Sequence, residues 1–102
     1  MVKLVVLYAP PEDPNAFDDY YFGTHTPLAE KIPGLRRLEV AKLAGLDGAT
    51  SPYYLQAELT FDDAVALEQG LSSPEGGATG RDVANFASAG VTMLVADVVR
   101  EG

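Results

Sequence analysis

The stretch Tyr53-Tyr54-Leu55-Gln56-Ala57-Glu58-Leu59-Thr60-Phe61 decides the fold class. Successive side chains of an extended chain point to opposite faces. Tyr53, Leu55, Ala57, Leu59 and Phe61 therefore share one face, and Tyr54, Gln56, Glu58 and Thr60 the other. The first face is core. The second is polar but carries an aromatic.

Upstream, Gly45 to Pro52 is a loop by composition, and Leu35 to Leu43 reads as a strand. That strand bears Arg36, Arg37, Glu39 and Lys42, a polarity suited to a sheet edge. At the N-terminus Val2 to Tyr8 is aliphatic apart from Lys3, which predicts a central strand buried on both faces. Asp13 before Pro14 supplies an N-cap followed by proline at the first helical position. The helix it opens extends to about Gly23, with Phe17, Tyr20 and Tyr21 at helical spacing. Pro27 lacks a backbone donor, so this helix is expected to kink or restart near His25, with Thr26 as a second N-cap and a short turn through Lys31.

Downstream, Asp62-Asp63 begin a second helix and Ser73-Pro74 a further cap and first turn. Gly76, Gly77 and Gly80 predict a loose or broken helix that firms up from Arg81 to Ala87. Val91 to Val99 is the last strand. Strand, helix, strand, strand, helix, strand is the ferredoxin-like βαββαβ order of an α+β domain, with helices on one face of a four-stranded antiparallel sheet. The opposite face is left bare, so a homodimer is expected.

The totals exclude several function classes. A chain of 102 residues holds one domain, without room for separate catalytic and cofactor domains. A net charge of −8, with basic residues scattered and only Arg36-Arg37 adjacent, opposes nucleic acid as a partner. With no cysteine there is no thiolate nucleophile and no Cys-rich metal site, and one histidine among carboxylates is a poor metal ligand set. No phosphate loop or dinucleotide fingerprint supports a nucleotide cofactor. The N-terminal apolar run is too short for a membrane span and lacks a small-residue cleavage site, so a soluble, cytoplasmic protein is expected.

The segment Tyr20-Tyr21-Phe22-Gly23-Thr24-His25-Thr26-Pro27-Leu28-Ala29-Glu30-Lys31-Ile32-Pro33-Gly34-Leu35-Arg36-Arg37 resembles the signature of the EthD family, an aromatic-x-x-x-His-x-Pro-Leu core followed by a Pro-Gly-Leu turn. Asp82-Val83-Ala84-Asn85-Phe86 resembles that family's Asp-x-x-Asn-Phe element before the last strand. The resemblance spans essentially the whole chain. It implies a dimeric α/β barrel, two sheets packed face to face, with a pocket between each sheet and its helices or within the barrel. Proteins of the wider superfamily act on flat, hydrophobic or aromatic small molecules, and they include isomerases, cyclases, decarboxylases, monooxygenases and haem-degrading enzymes. One departure is that the family's usual Trp near the second aromatic is replaced here by Tyr21 or Phe22.

His25 is the candidate catalytic residue. It lies four residues after Tyr21, where Pro27 interrupts the helical ladder, and an imidazole both gives and takes protons near neutrality. The plainer alternative is a structural histidine bonded to backbone. Tyr21, Tyr54, Asp82, Asn85 and Phe86 are the candidate substrate-binding residues. Tyr54 is expected to look toward the barrel interior from the polar face of its strand. Asp82 and Asn85, one helical turn apart, can present two polar groups to a ligand, or else serve as an ion-pair partner and a helix cap. Phe86 is expected to fill space between helix and sheet. The ligand expected is a small hydrophobic, oxygen-bearing compound. It would be turned over without a cofactor by isomerisation, dehydration or decarboxylation, or simply held for a partner enzyme. Haem ligation through His25 is a third reading.

Overall fold

The computed structural model describes residues 1–102. Its elements are β1 (Val2–Tyr8), α1 (Pro14–Tyr20), a π-helical turn (Tyr21–His25), α2 (Thr26–Ala29), β2 (Arg37–Lys42), β3 (Leu55–Phe61), α3 (Ala64–Ser72), α4 (Pro74–Asp82), a 3₁₀ turn (Val83–Asn85) and β4 (Val91–Asp97). The strands form one antiparallel sheet in the order β2-β3-β1-β4. This is the ferredoxin-like α+β arrangement, with β1 central and β2 at an edge as their sequences require.

Register converts alternation into layers. Val2, Leu4, Val6 and Tyr8 of β1 lie opposite Phe61, Leu59, Ala57 and Leu55 of β3, and these pairs face the helices. Leu55 and Phe61 are completely buried there. Lys3, Val5 and Leu7 face the other way beside Thr60, Glu58 and Gln56, and Lys3 reaches Glu58 at 3.8 Å across that open face. On the other side of β1, Leu94 pairs with Val5 and is 53% exposed. The helices also leave Val91, Met93 and Val95 of β4 exposed.

Caps start the helices where short-range chemistry places them. Asp13 accepts from the Ala16 amide, Asp63 from the Ala66 amide and Ser73 from the Gly76 amide. The glycine-rich stretch behaves contrary to its propensity. Residues 74–82 form a regular α-helix through Gly76, Gly77 and Gly80, and the chain loosens into the 3₁₀ turn where firmer helix was expected. Packing is the reason. A Cβ on Gly76 would stand 2.2 Å from the Gly70 carbonyl oxygen and 2.7 Å from that of Leu71. Glycine there lets α4 lie directly on α3, and this tertiary contact offsets the roughly 1 kcal/mol per residue that glycine costs a helix.

Candidate functional site

The segment around His25 neither breaks nor restarts. Its helix widens by one residue into the π turn, in which the Thr26 amide donates to the Tyr21 carbonyl. Pro27 has no amide to offer the preceding turn, and the wider turn accommodates that loss without a break. Thr26 keeps helical angles and is no N-cap; its hydroxyl donates back to the Phe22 carbonyl at 3.1 Å. The turn puts Tyr21 and His25 on the buried side, 1% and 4% exposed, and leaves Phe22, Gly23 and Thr24 outside.

Asp82, the last residue of α4, meets His25 across the interior. The His25 Nδ1 is 2.9 Å from Asp82 Oδ2. The Tyr20 hydroxyl donates to Asp82 Oδ1 at 2.5 Å and the Asn85 amide donates to the same oxygen at 3.0 Å. Burial pushes the Asp82 carboxyl up, but hydrogen bonds from Tyr20, Asn85 and His25 outweigh it and hold the group below its ordinary value. Burial pushes His25 below its ordinary 6.5, and the opposing pull of Asp82 does not restore it. The pair therefore rests at neutral pH as carboxylate and neutral imidazole. An ionised carboxylate only accepts, so Nδ1 carries the proton and Nε2 carries the free lone pair. Nε2 makes no hydrogen bond within the chain, and no buried side-chain nitrogen or oxygen is left both enclosed and unpartnered. Nε2 thus opens onto the cavity that His25 lines.

That cavity, about 440 Å³, lies between the sheet and the helices of a single chain and is walled mainly by aliphatic groups such as Leu4, Leu59, Ile32 and Met93. Its size is that of a small-molecule site. Tyr8 and Tyr21 line it together with His25, all three buried. The two tyrosines are close enough to perturb one another's ionisation through a mutual side-chain hydrogen-bonding interaction. Burial pushes Tyr21 up to about 12, against the opposing influence of the Tyr8 hydroxyl. Burial, reinforced by Tyr21, raises Tyr8 further still. Both remain neutral donors.

Of the residues singled out from the sequence, the fold brings His25, Tyr21, Asp82, Asn85 and Phe86 together. Phe86 packs on His25 with ring centroids 4.6 Å apart and closes an aromatic cluster with Tyr8, Phe17, Tyr20 and Tyr21. Asp82 and Asn85 do not present themselves jointly to the cavity, because the Asp82 carboxylate is taken up by His25, Tyr20 and Asn85, and the Asn85 amide nitrogen turns to Asp82 and Tyr20. Tyr54 departs from expectation. It precedes the first residue of β3, and its ring turns to the helix side against Phe17, 5.5 Å away, with its hydroxyl donating to Asp18 and accepting from Lys42. It lies away from both the cavity and the open sheet face. Thr79 and Arg81, which the sequence does not single out, also belong to the site or its support, as do Tyr8 and Tyr20, whose pattern reads as packing. Tyr8 left a trace in the sequence only as the end of the apolar run of β1.

Comparison with known proteins agrees with this fold. Residues 9–90 match the family model described as the EthD domain. An uncharacterized 11.0 kDa protein of Rhodococcus erythropolis is 42% identical over 97 residues, covering 95% of this chain and 94% of that protein. The crystal structure of an EthD family protein from Bacillus halodurans is 42% identical, with a TM-score of 0.92 over 97% of this chain and 99% of that one. A dimeric ferredoxin-like protein of unknown function from Thermobifida fusca shares the fold at 13% identity, with a TM-score of 0.72 over 95% of this chain and 90% of that one. Since the matched region takes in the π turn, β2, β3 and the Asp82 element, and the near-superimposable relative covers almost the whole chain, the chain belongs to the EthD family.

Proposed function

We infer that this protein binds a small, largely apolar, oxygen-bearing molecule in the cavity between its sheet and helices, and that His25 acts on it as a general base without a cofactor. The observation that carries this reading is the His25 Nε2 lone pair, opening onto an apolar cavity while Nδ1 is held by Asp82. A proton taken from an acidic C–H or O–H of the ligand would go to Nε2, and Asp82 would stabilise the resulting imidazolium through Nδ1. The Tyr8 and Tyr21 hydroxyls would donate to the oxygen on which negative charge develops. Returning the proton to a different atom completes an isomerisation, and its delivery to a departing hydroxyl completes a dehydration. A carboxylated substrate that loses CO₂ would take the proton at the resulting carbanion.

A second reading, a non-catalytic binding or accessory protein, is favoured by one observation. Burial raises both cavity tyrosines above their ordinary value, so His25 has no second group there suited to exchange protons with a ligand near neutral pH. The two readings separate on a panel of enolisable aromatic ketones and β-keto acids followed by mass spectrometry. Product formed by the wild type and lost in a folded His25→Ala variant supports catalysis. Saturable binding with no product in either protein would sink it and favour the accessory role.

The same reading includes a homodimer joined through the open sheet faces. Support comes from the exposed Leu94 of β4 on that face and from the dimeric description of the Thermobifida fusca relative.

A further inference from the structure

The cavity has one formally charged residue in its wall, and that residue is cationic. No Asp or Glu lines it, although the chain holds 15 acidic residues against seven basic ones. Four of the seven bases are paired: Lys3 with Glu58, Arg36 with Asp62, Arg37 with Glu39 and Lys42 with Asp18. Arg81 has no such partner, and it lines the cavity from the last turn of α4. Its side chain is exposed, whereas His25, Tyr8 and Tyr21 are buried, so Arg81 stands at the mouth and the proton-transfer groups at the inner end.

The backbone beneath Arg81 leaves room for its side chain. A Cβ on Gly77 would come within 3.2 Å of Arg81 Nη1, so the bare glycine lets the guanidinium fold back along the helix at the cavity rim. Gly80, which also lines the cavity, would meet nothing within 4 Å with a Cβ added, so this stretch of the α4 wall is open space. A planar guanidinium with unused donors, beside an apolar chamber in an otherwise acidic protein, matches a carboxylate in both charge and fork geometry.

We propose that the natural ligand is an amphipathic organic acid, its carboxylate held by Arg81 at the mouth and its apolar body in the chamber, with a reactive oxygen-bearing end toward His25. The proposal rests on the cavity being the ligand site and adds the substrate class and its orientation.

The test compares 2-naphthoate with its neutral isostere 2-naphthamide by calorimetric titration of the full-length wild type, Arg81→Gln and Gly80→Leu. The expected result is about tenfold tighter binding of the acid than of the amide by wild type, a preference that shrinks as salt rises. Arg81→Gln should bring the acid down to the amide's affinity and leave the amide unchanged. Gly80→Leu, which fills the open space, should weaken both. Equal affinity for acid and amide in wild type, or an acid preference that survives Arg81→Gln, overturns the proposal while the cavity reading stands, provided Gly80→Leu still blocks the amide. Binding of neither probe, or binding indifferent to Gly80→Leu, overturns the cavity reading and this proposal together.

Discussion

The His25 Nδ1 and the Asp82 Oδ2 lie 2.9 Å apart although 57 residues separate them in the chain, and both side chains are almost wholly buried. This contact fixes the tautomer of the only imidazole and leaves the free lone pair on Nε2.

Asp82→Asn should therefore change which nitrogen carries the proton. In the wild type at pH 8, long-range nitrogen–proton NMR is expected to show the Nδ1–H tautomer. The Asn side chain can donate to Nδ1 and favour Nε2–H, and turnover of any true substrate should fall roughly 100-fold or more. An Nε2–H tautomer in the wild type would remove the basis for general-base action.

Stability should depend on pH with a definite sign. The folded His25 value is depressed below the ordinary 6.5, so on acidification the unfolded chain takes up the proton first. Stability from this residue is complete above 6.5 and declines as pH falls through the window between 6.5 and the lower folded value. Urea midpoints measured across that window should drop, and the slope should flatten in His25→Gln. Midpoints that rise on acidification below 6.5 would contradict the neutral buried imidazole.

The α3–α4 crossing makes Gly76 and Gly80 opposites despite their shared helix. Gly76→Ala places a methyl group 2.2 Å from the Gly70 carbonyl oxygen and should cost about 2 kcal/mol, a fall in melting temperature of roughly 10 °C. Gly80→Ala meets open space and should gain up to about 1 kcal/mol from helix propensity. Calorimetric melting of the two variants checks this, and equal effects would show that packing does not govern α4.

Leu94 stands exposed on the open sheet face, paired with Val5. Leu94→Lys should weaken a sheet-to-sheet dimer by at least tenfold in sedimentation equilibrium, with circular dichroism unchanged, because a charge would be buried against the second copy. A wild type that sediments as a monomer at micromolar concentration would discard the dimer itself.

Much of the fold was legible because its signals are short-range. Asp13 and Ser73 were readable as caps, since a cap bonds an amide three residues away, and Asp62-Asp63 as the start of a helix. The alternation of residues 55–61 assigned a buried face that register then confirmed. The reading failed where local preference was overruled. The glycines of α4 are helical because α3 lies against them, and Pro27 sits within a helical run because the π turn absorbs its missing donor. Tyr54 left its expected face because the regular strand begins one residue later.

The site was legible only in outline. A lone histidine beside aromatics marked where to look, and the family resemblance drew attention to Asp82, Asn85 and Phe86. Nothing in residues 8 or 20 announced that one hydroxyl would open on the cavity and the other on the carboxylate.

Sequence alone determined the order of elements, the capped helix starts, the buried face of β3 and the absence of thiol chemistry, because side-chain alternation, capping and composition act within a few residues or need no geometry at all. Tertiary structure decided the His25–Asp82 pairing, the protonated nitrogen, the cavity and the unpaired Arg81 at its mouth. These depend on how a helix layer settles on a sheet, and that is set by contacts such as Gly76 against Gly70 between segments that no local rule connects.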